Sequence, residues 1–266
     1  MASLKVKFLA TSIKMQMHLS VFLPESAMRA PEGFDRAGLK VLWLLHGEGG
    51  DCSDWLRLSM VEHYAEAANI ALVMPNMDNS MYMDMAHGGY PYFTYLTEDL
   101  PHHIRDLVRV LSDKPEDNFV AGAGVGGYGA VKWMLRAPGM FGGCACFSGD
   151  VDIVAALYAK EAVDDFGDDW AAAFGSAGRI AGTADDPLAL CRERVAARMP
   201  LPPIHLACGT SETGAPRRRA TARTLADLGL DVRYHEEPQA QGWPLWNARV
   251  RDFIQTAMTP RVPAEG

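Results

Sequence analysis

The residues with the most chemical potential sit in one glycine-rich run, Phe119-Val120-Ala121-Gly122-Ala123-Gly124-Val125-Gly126-Gly127-Tyr128-Gly129. An apolar strand enters a tight turn, and a helix follows it. A G-x-S-x-G sequence at such a junction presents a serine nucleophile on a strained backbone, with small residues letting strand and helix approach closely. Here the template reads Gly122-Ala123-Gly124-Val125-Gly126, so glycine stands at the nucleophile's place. Gly122, Gly124 and Gly127 also fit a phosphate-cradling G-x-G-x-x-G. That fingerprint belongs after the first strand of a dinucleotide fold, with an acidic residue at the end of the next strand. Several strands precede this run, and only Asp150 and Asp152 stand near the acidic place, so this is the weaker reading.

Other reactive side chains are scattered. His87, in the loop 77–89, could act as a surrogate base, but a lone loop histidine is more often simply solvated. Met81, Met83 and Met85 alternate beside it; soft thioethers select Cu(I), yet pocket-lining hydrophobes are the better account. His102-His103 begins a helix and reads as exposed. Cys144 and Cys146 read as buried strand residues rather than ligands or nucleophiles. No metal and no cofactor is expected.

The elements that must carry these residues alternate. Met15, Met17, Leu19, Val21 and Leu23 have the period of a half-buried strand. Val41-Leu42-Trp43-Leu44-Leu45 is a continuous apolar run, as in a parallel strand buried on both faces. Similar runs recur at 70–74, 119–121, 144–147, 204–207 and 232–234. Helical patterns lie between them. The segment 96–111 carries Leu100, Ile104, Leu107, Val108 and Leu111 on one face; 128–137 stops at Pro138-Gly139; 217–228 ends at Gly229; and 246–257 closes the domain. Such alternation implies a mostly parallel sheet covered by helices on both faces. The stretch of about 156–199, with Asp164-Asp165, Asp168-Asp169 and Asp185-Asp186, breaks the rhythm and reads as a helical excursion over the site. Residues 1–258 are expected to form one domain, with 259–266 a loose tail.

The 266 residues carry 48% hydrophobic and 22% charged side chains and a net charge of −8, the profile of a soluble globular chain that argues against nucleic acid as a partner. The cluster Arg217-Arg218-Arg219 reads as the exposed start of a helix. No apolar run suits a signal peptide or a membrane span, and five cysteines without a framework spacing suit a reducing compartment, so a cytoplasmic location is expected.

Further segments give these elements a family likeness. They are Leu44-Leu45-His46-Gly47-Glu48-Gly49-Gly50-Asp51-Cys52-Ser53-Asp54-Trp55; Met74-Pro75-Asn76; Tyr82-Met83-Asp84; Glu98-Asp99-Leu100-Pro101; Phe147-Ser148-Gly149; Phe174-Gly175; Ile180-Ala181-Gly182; Asp185-Asp186-Pro187-Leu188; Cys208-Gly209-Thr210-Ser211-Glu212; and Glu236-Glu237-Pro238-Gln239-Ala240-Gln241-Gly242-Trp243-Pro244-Leu245-Trp246. In this order and over roughly 4–258, the chain resembles the esterase D / tributyrin esterase family. The resemblance implies an α/β-hydrolase fold. It implies triad places at Gly124 for serine, Glu212 for aspartate and Gln241 for histidine, and oxyanion-hole N–H donors at Glu48 and Val125. His46, Gly47, His87, Asp150 and Trp243 are the remaining pocket candidates.

Glutamate can orient a catalytic histidine, but glycine has no nucleophile and a glutamine amide takes no proton near neutral pH. The expectation is therefore an esterase-family homologue with a degenerate triad, inactive as a serine esterase and keeping a small-molecule pocket, with room for a homo-oligomer. Two alternatives stand beside it: an enzyme with other acid/base chemistry through Glu48, His87, Asp150 or Glu212, and a structural subunit of an active paralogue. A carboxylate on Glu48 would oppose an oxyanion, unless it points to solvent or caps a turn.

Overall fold

The structure is a computed structural model that describes residues 1–25, 38–163 and 167–258. Its strands are β1 (Ala2–Ala10), β2 (Met15–Leu23), β3 (Val41–Leu45), β4 (Ala71–Pro75), β5 (Asn118–Ala123), β6 (Gly143–Phe147), β7 (Ile204–Gly209) and β8 (Val232–Glu237). They form one sheet in the order β1-β2-β4-β3-β5-β6-β7-β8. From β4 to β8 every pairing is parallel, while β2 runs antiparallel to both β1 and β4. This is the α/β-hydrolase fold.

The helices are α1 (Asp54–Leu58), α2 (Val61–Ala68), α3 (Leu100–Leu107), α4 (Val125–Arg136), α5 (Ile153–Ala162), α6 (Asp168–Phe174), α7 (Ala177–Ile180), α8 (Pro187–Ala196), α9 (Ala215–Asp227) and α10 (Trp243–Phe253). Because side chains alternate along a strand, Trp43 faces a core with Ile104, Trp133 and Leu225, whereas Leu42 and Leu44 face one with Trp55, Val61 and Phe253. Helices therefore cover both faces. Between β6 and β7, α5 to α8 form the excursion. Ile153, Leu157, Phe174 and Ile180 of that excursion pack on Met81, Met83 and Tyr128 in a third core. Asp164-Asp165 and the tail 259–266 lie outside the described residues.

Several sequence expectations shift. The strand β1 is unannounced by a strong apolar run: Val6 and Phe8 are only half-buried, and Lys5 and Lys7 alternate with them, as suits an edge strand. The helix expected over 96–111 ends at Leu107, because Val108 leaves helical geometry and Leu111 bridges to Leu39. Leu107 is thereby left 61% exposed instead of joining Leu100 and Ile104 in the core. Met81 and Met83 are core residues.

Two contacts tie the excursion to α4. Lys132 of α4, fully buried, donates to Tyr82 O at 2.6 Å and pairs with Asp185 at 3.0 Å. Burial pulls its pKa down to about 8 against the opposing pull of Asp185. The Tyr128 hydroxyl donates to Asp185 O at 2.9 Å.

The helix α4 lies unusually close to β3 and β5. A Cβ on Gly126 would sit 2.4 Å from His46 O and 2.7 Å from Leu45 O, both backbone atoms that cannot swing aside. Gly126→Ala is expected to cost about 2 kcal/mol through forced backbone displacement, seen in thermal unfolding as a midpoint several degrees lower. An unchanged midpoint would refute this contact.

Candidate functional site

The segments that leave β3, β5, β6 and β8 open onto a cavity of about 590 Å³. Its lining includes Gly47, Glu48, Gly124, Val125, Ser148, Asp150, Arg218, Gln241 and Trp243. Trp170 from α6 and Trp246 from α10 complete an aromatic wall with Tyr128. Among the described residues that line it there is no histidine.

Gly124 is the residue between β5 and α4, with φ 55° and ψ −125°. Such angles strain any residue bearing a Cβ. Its N–H donates to Phe147 O at 2.8 Å, which pins the turn to β6. A Cβ built there would have Gln241 Nε2 as its nearest neighbour, at 3.6 Å. The structure thus brings together two residues 117 positions apart, whose pairing was expected from resemblance alone. The N–H groups of Glu48 and Val125 border the same space, and no hydrogen bond among the described residues uses either. Val125 opens the helix, whose positive end favours an electron-rich ligand atom.

Glu212 is buried beside the cavity and faces a different set of partners. Its Oε1 accepts from Ser148 Oγ at 2.7 Å and from Gly209 N at 2.5 Å, and its Oε2 accepts from Arg218. No hydrogen bond joins it to Gln241 among the described residues. Arg218 also pairs with Asp150 at 3.2 Å, and Arg217 meets the same carboxylate at 3.1 Å. Burial weakens the Arg218 charge, but Asp150 and Glu212 outweigh it and raise the guanidinium above its ordinary pKa. The Trp246 indole N–H donates to Ser148 Oγ at 3.1 Å, extending the chain of contacts to α10.

Glu48 and Trp243 complete the cavity's rim. The Glu48 carboxylate is exposed at the rim and accepts from Trp170 Nε1 at 2.8 Å. Trp243 packs edge-on between Trp55, at 5.1 Å, and Trp246, at 5.2 Å. Two pocket candidates fall outside the lining. His46 is buried, with Nδ1 bonded to Gly47 O at 2.7 Å and Nε2 accepting from Met77 N at 2.9 Å. Burial lowers its pKa and keeps this brace neutral. His87 is exposed and meets α6 only through its backbone N–H, which donates to Ala172 O.

Sequence reasoning missed the roles of Ser148 and Arg218. The arginine cluster, expected to be an exposed helix start, is instead largely ion-paired, with the Arg218 side chain only 13% exposed. The reason is charge: Asp150 and Glu212 converge there and need cations. Their signal was the presence of two carboxylates at strand ends with no basic neighbour assigned.

A doubly covered parallel sheet with a glycine turn at its carboxyl edge, opening into a cavity under a helical excursion, defines an α/β-hydrolase. The sequence matches the Esterase family over residues 10–255, and the chain belongs to that family. It is 25% identical to an acetyl esterase from Caldicellulosiruptor saccharolyticus, over 96% of this chain and 97% of that one. Its fold is similar to that of the fluorophosphonate-binding serine hydrolase FphF of Staphylococcus aureus, with a TM-score of 0.86 at 25% identity, covering 97% and 99% of the two chains. The S-formylglutathione hydrolase FrmB of the same organism gives 0.85 at 25% identity, again over 97% and 99%. Among the described residues no helix is long and apolar enough to cross a membrane.

Removing one member of the buried charge network leaves the others uncompensated. Arg218→Leu is expected to lose about 3 kcal/mol in urea unfolding. Adding Glu212→Gln should restore part of that loss, because the stranded carboxylate is then neutral. Two strictly additive losses would show that the pair is not coupled.

Proposed function

We propose that this chain is an Esterase-family α/β-hydrolase without a serine nucleophile or a histidine base, and that its cavity binds a small molecule instead of cleaving it as a serine esterase does. One observation carries the reading. Gly124 occupies the strained strand-to-helix turn facing the cavity, and the side chain across from it is the Gln241 amide. Attack on an ester carbonyl needs an oxygen or sulfur nucleophile and a base within hydrogen-bond reach. Glycine offers none, and the amide takes no proton near neutral pH.

The carboxylates support the same reading against alternative acid/base chemistry in the pocket. Glu212 and Asp150 are held by arginines, and their oxygens are engaged in those ion pairs. The names of the relatives, esterases and serine hydrolases, support common ancestry.

The wild-type protein should take up no fluorophosphonate label and hydrolyse p-nitrophenyl acetate only at the buffer rate. Gly124→Ser alone and Gln241→His alone should stay silent, since an unassisted hydroxyl is weak and a lone base has nothing to deprotonate. The double variant should gain hydrolysis at least tenfold above either single change, because triad members act as a unit. Stoichiometric labelling of the wild type, or strong activity from Gly124→Ser alone, would overturn the proposal.

A further inference from the structure

The sheet ends in two strands with an unpaired side, β1 and β8. Along a strand, the residues that bond one neighbour alternate with those that face away from it. Ile204 N donates to Asp231 O and Thr210 N to Glu237 O, so Asp231, Arg233, His235 and Glu237 turn their backbone groups toward β7. Val232, Tyr234 and Glu236 then direct their N–H and C=O groups outward. No hydrogen bond among the described residues uses those outward groups. Such an edge is a template for a further strand.

Charge decides which strand each edge accepts. A strand pairing antiparallel with its own copy does so about a twofold axis. Opposed side chains must share a face, so the axis passes through a residue, and residues equally far from it meet. On β1, an axis at Lys5 or Lys7 sets that lysine against itself, and one at Val6 sets Lys5 against Lys7. Like charges directly opposite are destabilising, so β1 is guarded against its own copy. On β8, an axis at Tyr234 would oppose Asp231 to Glu237, and one at Glu236 would oppose that residue to itself. An axis at His235 instead sets Arg233 against the partner's Glu237 on both sides of the axis.

The neighbouring groups suit that register. Arg233 is 44% exposed, and its ion pair among the described residues is a loose one, with Asp231 at 3.9 Å. Glu237 is held in place by Arg249 at 2.6 Å, with His235 at 3.3 Å, so the acceptor is fixed before a partner arrives. The helix α10 packs on β6 and β7 and leaves a groove of about 210 Å³ beside Arg233 and His235. On the other face Glu236 accepts from Arg219 at 2.8 Å, with Arg223 nearby, so its two copies do not meet as bare charges. We infer that β8 pairs antiparallel with β8 of a second copy of this chain, about a twofold axis at His235. The two sheets then join into one, with Tyr234 and the partner's Glu236 exchanging backbone hydrogen bonds. This dimer does not depend on whether the cavity binds or cleaves its ligand.

Sedimentation velocity over a range of protein concentrations should show a monomer–dimer equilibrium and no larger species. Amide exchange at Tyr234 and Glu236 should slow as concentration rises, while the outward amides of β1 stay unaffected. Arg233→Glu sets acid against acid on both sides of the axis and should weaken the dimer at least tenfold. Glu237→Lys should weaken it in the same way with bases. An equimolar mixture of the two folded variants should recover the dimer, because every opposed pair is then of unlike charge. His235→Lys puts two lysines on the axis, as β1 does, and should leave a folded monomer. A wild type that stays monomeric at every concentration would overturn the inference, as would concentration-dependent protection on β1 in place of β8. A dimer that ignores both charge reversals, or one that the mixture fails to restore, would overturn it equally.

Discussion

The close approach of α4 to β3 and β5 governs the geometry of everything at the carboxyl edge of the sheet. A side chain on Gly122 would meet the Gly126 carbonyl at 2.2 Å, and one on Gly126 would meet His46 O at 2.4 Å. With the side chains gone, the helix starts directly above the sheet edge. Its first free N–H, that of Val125, then lies beside the loop of Gly47 and Glu48 that leaves β3. The same closeness lets Gly124 hydrogen-bond to Phe147 O, which aligns the end of β6 and so positions Ser148. Backbone spacing, more than any one side chain, builds this cavity.

Electrostatics then distribute what the backbone leaves open. Glu212 is 8% exposed, and a buried carboxylate is tolerated only when its lone pairs are met and its charge is balanced. Ser148, Gly209 and Arg218 meet those needs, so the acid is satisfied without an imidazole. Asp150 accepts from Nη2 of Arg218 and from Nε and Nη2 of Arg217, which neutralises one flank of the cavity. Beside Trp170 the lining carries both signs: Glu48 accepts from the indole N–H, and the Lys160 ammonium lies 4.7 Å over the same ring. The cavity is therefore not uniformly polar: one side is an ion network, and the other presents indole rings next to one anion and one cation.

Much of this was legible in the sequence because it depends on local pattern. The buried run Val41–Leu45 and the glycine turn are read from order and spacing, and both fold as expected. The juxtaposition of Gly124 with Gln241 was legible only through resemblance, since no local rule links positions so far apart. What stayed hidden depends on long-range charge and on edges. Arg218 reads as exposed until Asp150 and Glu212 are seen to converge on it. The strand β1 reads as polar because one edge faces water. His46 invites a place in the pocket by its position in the loop, yet its two ring nitrogens brace the backbone at Gly47 and Met77.

The distribution of backbone strain bears on whether the pocket is a relic. At residue 124 a side chain would cost on the order of 1–3 kcal/mol in unfavourable angles, and glycine avoids that cost. If the whole site had drifted free of any ligand, neighbouring strained positions should have relaxed in the same way. They have not: Met81, Tyr82 and Ser148 keep positive φ values of 52°, 56° and 57° with full side chains, and each is 1% exposed. The strain at Tyr82 and Ser148 is held by specific contacts, the Tyr82 hydroxyl on His46 O at 2.7 Å and Ser148 on Glu212. The cavity thus keeps over-determined walls around a single relaxed turn. That combination fits a pocket still shaped to hold a molecule, under the proposed reading that it no longer cleaves one.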